Sequence, residues 1–344
     1  MSDITFRLTG GTNVGLVRTN NEDNFIVNAD LSQNDWFIPN NAAETITLGE
    51  YGCLFVVADG MGGMNAGEVA SAIAVESVKD MFSNTDLSEI VSDSIQIKNF
   101  LQAVVEKADK NIKDRVKSDP ATEGMGTTIV IGWALNGAVY ISWCGDSRAY
   151  LFNPNSGLVR LSKDHSYVQR LVDEGKLDPE LAFDHPNSNV ITRSLGDASS
   201  KALPDFTSRH LVVGDCILLC SDGLCGLCRD EDILNVFNES EDIEQCKNNL
   251  IASALDAGGD DNVTIVLFQV VTYSGAVNDE IGMRTHMDFC KKKNPYVVIS
   301  KTFACIIILL IICLVILFTL MTIGYKGLMS VFVNLIQQFV TASK

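Results

Sequence analysis

Four aspartates fall where apolar runs begin or end. Asp59 closes CLFVVA and is followed by Gly60, and Asp222 closes CILLCS and is followed by Gly223. Asp146 ends VYISWCG before Ser147 and Arg148, and Asp261 opens VTIVLF after Gly258, Gly259 and Asp260. One Asp-Gly pair alone reads as a turn dipeptide. Four such carboxylates on core strands read differently, because a sheet can aim strand ends at one place and clustered carboxylates repel unless a cation neutralises them. Hard oxygen donors favour Mg²⁺, Mn²⁺ or Ca²⁺ over zinc or copper. Two such ions, roughly 3.5–4 Å apart and sharing a water, are a common apparatus for phosphate chemistry. Arg18, in VGLVRTNNEDNF, is the residue type that grips a phosphate through a planar fork.

Other chemistries find less support. The ten cysteines suit reduced, packed thiols. Cys225 and Cys228 form a CxxC, but no second pair follows, and His165, His185, His210 and His286 lack zinc-ligand spacing to it. Neither Cys220 nor Cys225 lies in a glycine-rich phosphate loop, so no activated cysteine nucleophile is expected. DGMGGMNAG lacks the third glycine of a dinucleotide fingerprint, and GGTNVG lacks the Lys-Ser/Thr of a nucleotide phosphate loop.

The elements that must hold the aspartates read as short strands with a few long helices. Candidate strands are 53–59, 127–133, 138–144, 148–152, 216–222 and 263–271, rich in β-branched and aromatic residues. The ALNG turn between the second and third predicts an antiparallel hairpin. Helical spacing predicts helices over about 65–82 and 95–117. Adjacent strands without strict β-α alternation imply antiparallel sheets with helices layered outside, an α+β architecture.

The chain holds 26 basic and 43 acidic residues in 344, a net charge of −17. That acidity argues against nucleic acid as a partner. The last 72 residues hold seven basic and three acidic side chains, so the preceding 272 hold 19 and 40. Residues 302–323, TFACIIILLIICLVILFTLMTI, carry no charge over 22 positions, long enough for one transmembrane helix. Lys291, Lys292, Lys293 and Lys301 precede it while only Lys326 lies close behind, which predicts a single pass with the N-terminal part cytoplasmic. The opening MSDITFRLTG shows neither a basic nor an apolar leader region. The expected organisation is a catalytic domain over 1–272, a juxtamembrane linker over 273–301, the span over 302–323, and a tail over 324–344. In the tail, Leu328, Val331, Phe332, Leu335, Ile336 and Phe339 are spaced for a helix lying on the membrane surface.

Taken together, eight segments resemble, in order, the type-2C metal-dependent protein phosphatase family. They are GLVRTNNEDNF (15–25), VVADGMGGMNAGEVAS (56–71), GMGTT (124–128), WCGDSRAYL (143–151), LSKDHSYV (161–168), ITRSLGD (191–197), LLCSDGL (218–224) and GGDDNVTIVL (258–267). The resemblance implies two antiparallel sheets sandwiched between outer helices, and hydrolysis of phosphoserine and phosphothreonine in proteins by a metal-activated water. It implies two core Mn²⁺ or Mg²⁺ ions, with Asp59 bridging them, the Gly60 carbonyl on the second, and Asp222 and Asp261 completing the first. Asp146 with Asp222 matches the third-ion site of bacterial-type members. Glu22 and Asp23 match an acidic pair that orders metal-bound waters, Arg18 matches the phosphate-binding arginine, and Asn262 is a supporting partner of Asp261. Residues 164–200 resemble a flap beside the active site, and a cognate Ser/Thr kinase is an implied partner. Met61 stands where many eukaryotic members carry histidine; a thioether donates no proton, so a bacterial-like member with another proton donor is implied.

Overall fold

The computed structural model describes residues 4–33, 35–37, 44–62 and 66–274, together with Ser330, Val333, Asn334, Gln337 and Gln338. The chain divides into two compact units, Met1–Gly282 and Met283–Lys344. In the second unit the five described residues are helical and exposed. The predicted span over 302–323 lies outside the described residues, and among those that are described no helix is long and apolar enough to cross a membrane.

The first unit is built on two six-stranded sheets in which every pairing is antiparallel. One sheet runs, edge to edge, Gly157–Arg160, Arg148–Asn153, Cys216–Cys220, Val263–Tyr273, Ile4–Asn13 and Ile46–Thr47. The other runs Asp205–His210, Ala138–Cys144, Ile129–Leu135, Cys53–Ala58, Asn24–Asn28 and Trp36–Phe37. Successive strand residues point to opposite faces, and strand Cys53–Ala58 shows the consequence. Cys53, Phe55 and Val57 enter the layer between the sheets, beside Phe6, Val266 and Phe268. Leu54, Val56 and Ala58 enter a second layer under helices Ala66–Ser83 and Ser94–Ser118. A third layer joins Leu218, Ile265 and Leu267 to Ile233, Phe237 and Leu250 of helices Asp230–Glu239 and Ile243–Asp256. A strand covered on both faces has no polar side to show, which is why its sequence is a continuous apolar run.

The sandwich with outer helices agrees with the expectation, as do both long helices to within one residue. The hairpin turns at Asn136 and Gly137, both with positive φ (50° and 78°), as a two-residue hairpin turn requires. Three strands differ by two residues or more. The segment 127–133 divides: Gly126–Thr127 pairs with Gly60–Met61, and the main strand starts at Ile129. The segment 216–222 stops at Cys220, and Asp222 begins the short helix Asp222–Cys225. Tyr273 extends the last strand. Strand Ile4–Asn13 was not foreseen, since its Gly10 and Gly11 read as loop; eight of its ten residues are drawn into continuous pairing with Val263–Val270. Helix Asp230–Glu239 was also missed, because it buries only Ile233 and Phe237.

Candidate metal centre

The strands deliver their aspartates to one end of the sandwich. The Asp59 carbonyl accepts from the Thr128 N–H at 2.9 Å and from Thr127 Oγ1 at 2.7 Å, so the GMGTT segment fixes the backbone just beyond strand Cys53–Ala58. Ser147 Oγ meets Thr128 Oγ1 at 2.6 Å, which ties the Asp146 turn to the same threonines. Ser221 precedes Asp222; its hydroxyl donates to Asp23 Oδ2 at 2.7 Å and accepts from the Thr264 N–H at 2.9 Å. Thr127, Thr128, Ser147 and Ser221 are supporting residues that sequence reasoning left without a role. Their signal was position, each within two residues of a named aspartate or inside a quoted motif.

Both Asp-Gly glycines are needed for close approach. A Cβ on Gly60 would lie 2.3 Å from the Gly67 carbonyl oxygen and 2.4 Å from that of Glu22. A Cβ on Gly223 would lie 2.0 Å from the Asn262 carbonyl oxygen. Neither glycine has positive φ. The dipeptides that look like turns are points where separate chain segments touch.

Asn262 is the clamp of the Arg18 loop. Its Nδ2 donates to the carbonyls of Val14 and Asn20, each at 2.9 Å, and its Oδ1 accepts from the Glu22 N–H at 2.8 Å. Arg18 Nη2 donates to Asp261 Oδ2 at 2.7 Å, so the loop is also held by charge. Asn262→Ala should strand three backbone groups and destabilise the fold by about 3 kcal/mol, at roughly 1 kcal/mol per group. Chemical denaturation measures this, and a loss below about 1 kcal/mol would mean that the loop holds itself.

The Glu22 and Asp23 side chains take different neighbours. Asp23 turns inward to Ser221. The Glu22 carboxylate lies against Gly67 at the start of helix Ala66–Ser83. Arg18 is engaged with Asp261.

The remaining carboxylates crowd one another. Asp59 is held well above the ordinary carboxylate range, first by burial and then by Asp222, Asp23 and Asp146. Asp222 is raised by burial and then by Asp261, and its contact with Asp59 pushes Asp59 up and Asp222 down. Asp146 is raised by burial, then by Asp222 and Asp164. Burial pushes Asp23 up to about 8, against hydrogen bonds from Thr264 and Ser221 that favour the charged form. Of these four, Asp146 and Asp222 face open space beside the site. The two arginines that act on Asp222, Arg18 and Arg148, are each already paired, with Asp261 and Asp164.

Such a set of hard oxygen donors short of positive charge fits a divalent ion of the magnesium or manganese type. Among the described residues no three Asp, Glu, His or Cys side chains already close on one ion position. Ions of this type do not require that, since they keep several waters and take one or two carboxylates each. The cysteines do not compete. All seven in the described part are free and buried. The Cys225 thiol is pushed up by its hydrogen bond with Cys220 and by burial, and burial holds Cys228 at about 11.

The surroundings extend the site in one direction. Half-buried Arg148 grips Asp164 through Nε and Nη2 (2.7–3.1 Å) and donates to the Tyr150 hydroxyl at 3.0 Å, which passes the chain to Asp230 at 2.9 Å. His165 accepts from the Gly145 N–H on Nδ1 at 3.1 Å, and its own N–H returns to the Gly145 carbonyl at 2.9 Å. The start of the 164–200 segment is thereby fastened beside Asp146. A cleft of about 1050 Å³ opens from Asp146, Asp222 and Asp261 out to that segment.

With this geometry in place, comparison with known proteins gives a consistent result. The family model described as Protein phosphatase 2C matches residues 9–263. The chain belongs to that family. It is 33% identical over 270 residues, 78% of its length, to the serine/threonine protein phosphatase PstP of Mycobacterium tuberculosis, and spans 46% of that relative. It is 32% identical over 216 residues, 63% of its length, to the serine/threonine phosphatase stp of Listeria innocua, and spans 84% of it. Among solved structures, the PstP catalytic domain in complex with two manganese ions has a TM-score of 0.61 at 32% identity, covering 78% of this chain and all of that one. The S. agalactiae serine/threonine phosphatase has a TM-score of 0.66 at 29% identity, covering 77% of this chain and 99% of that one.

Proposed function

We propose that this chain is a Mn²⁺- or Mg²⁺-dependent phosphoprotein phosphatase that hydrolyses phosphoserine and phosphothreonine. The observation that carries the reading is the group Asp23, Asp59, Asp146 and Asp222, brought together at one end of the two sheets and acting on one another's charge. Membership of the family and the two manganese ions of the PstP structure support it. When bound, the ions would supply the activated water and neutralise charge on the phosphoryl group.

Asp59 and the Gly60 carbonyl would hold the ions at that end of the sheets, with Asp222 and Asp261 completing one side. Asp146, beside Asp222, would take a third ion. Asp23, fixed by Ser221, would orient water, and Glu22 would do so from the other side of the chain. Arg18 would bind phosphate oxygens while Asp261 keeps its guanidinium in place. Met61 donates no proton, so protonation of the leaving oxygen falls to solvent. Partners in this reading are phosphorylated proteins and the Ser/Thr kinase that makes them. The uncharged 302–323 stretch, with lysines on its N-terminal side, supports a single-pass anchor with the catalytic unit on the cytoplasmic face.

The test is hydrolysis of a phosphothreonine peptide and of an aryl phosphate, with Mn²⁺ and then with excess chelator. Activity should appear with Mn²⁺, fall at least a hundredfold on chelation (about 2.7 kcal/mol), and return on adding the metal back. Full activity in chelator would overturn the reading.

A further inference from the structure

The 164–200 segment is anchored unevenly. At its base, Thr192 N–H donates to the His165 carbonyl and Tyr167 N–H to that of Val190, each at 2.7 Å, while Thr127 and Leu195 exchange backbone hydrogen bonds at 2.8 and 3.1 Å. The near arm, helix Tyr167–Asp173, is held by Arg160 to Gln169 at 3.0 Å and by Lys163 to Asp173 at 2.7 Å. The far arm, 177–189, closes the outer side of the cleft. Among the described residues, the one side chain from outside the segment that bonds or ion-pairs with this arm is Arg229. Its Nη2 lies 2.7 Å from Asp184 Oδ2, and its guanidinium sits 4.3 Å from the centre of the Phe183 ring. Arg229 is itself fixed at the start of helix Asp230–Glu239, where its N–H donates to Asp232 Oδ2 at 3.0 Å.

We propose that Arg229 is a positioning residue that latches the far arm to the body of the domain and so presets the cleft for an extended phosphopeptide. This rests on the phosphatase reading above and names how the same site selects peptide over small ester. A small phosphate ester needs only the carboxylate end of the cleft. A peptide also needs a wall, and with the latch open it must order that wall on binding, which weakens affinity without changing the chemistry. An exposed ion pair and an exposed cation–π stack are each modest interactions, so the expected effect is several-fold.

The experiment compares the full chain with Arg229→Ala, Arg229→Lys and Asp184→Asn. Chymotrypsin cleavage after Phe183 should be several times faster in Arg229→Ala at unchanged melting temperature; an unchanged cleavage rate would overturn the latch. With Mn²⁺, Arg229→Ala should raise KM for a ten-residue phosphothreonine peptide about fivefold, with kcat within about twofold. Aryl phosphate kinetics should stay within about twofold. Arg229→Lys should recover part of the peptide KM, and adding Asp184→Asn to Arg229→Ala should change little further. Equal shifts for peptide and ester would overturn the positioning role. A wild-type chain inactive on both substrates would instead overturn the phosphatase reading, while proteolysis would still decide whether the latch exists.

Discussion

Replacing Asp59 with asparagine is expected to cut turnover about a thousandfold or more while making the metal-free protein more stable. The two effects share one cause. A thousandfold loss is about 4 kcal/mol of transition-state stabilisation, the scale expected if Asp59 is an ion ligand. Without metal, Asp59 is a crowded acid held well above its ordinary range by burial and by Asp222, Asp23 and Asp146. A carboxyl whose folded pKa is raised binds its proton more tightly in the folded state than in the unfolded one. Its stabilising effect is therefore complete below about pH 4 and is lost as pH rises toward the folded value. For Asp23, raised to about 8, that window runs from about 4 to about 8. Asparagine keeps the shape, offers an N–H to Asp222, and cannot ionise among the crowded carboxylates. At pH 8 without metal the variant should be more stable than the parent by about 1 kcal/mol or more, and Mn²⁺ should stabilise the parent far more than the variant. Thermal melts with and without Mn²⁺, beside steady-state rates, measure both. Near-normal turnover at saturating Mn²⁺ would remove Asp59 from the centre.

Arg18→Ala should raise KM between about tenfold and a hundredfold, with a smaller fall in kcat. One guanidinium nitrogen holds Asp261, and a guanidinium has four further N–H donors with which to meet a phosphate. A charge-assisted contact of this kind contributes about 1.5–3 kcal/mol, and losing it from ground and transition state alike appears in KM. Arg18→Lys should recover only part, because an ammonium keeps the charge but not the fork. Measurement at saturating Mn²⁺ separates this from any change in metal affinity caused by freeing Asp261. An unchanged KM for a small phosphate ester would place Arg18 outside the phosphate site.

Much of this protein was legible in the residues themselves. The doubly covered strands announced themselves as unbroken apolar runs, and Ser94–Ser118 by apolar positions at helical spacing, because both follow from periodicity along a single element. The aspartates were legible for a related reason: a carboxylate at the end of a buried run must be paired, protonated or metal-bound. Polar, short elements were not. Helix Asp230–Glu239 commits only two buried side chains, and the two glycines in Ile4–Asn13 outweigh any local strand signal until Val263–Tyr273 pairs with it.

The sequence by itself determined the donor chemistry of the centre, the layered class of fold and the boundaries of the two long helices, since each rests on residue type or on spacing within one segment. The tertiary structure alone decided which distant pieces meet. It turned Asp23 toward Ser221, 198 positions away, and left Glu22 against Gly67. It made Gly60 and Gly223 contact points instead of turn formers, and it brought Arg229 to Asp184 across 45 positions. These outcomes depend on strand register and on how helices and loops pack across the sheets. Both are set by many weak contacts between segments far apart in the chain, so no local pattern records them.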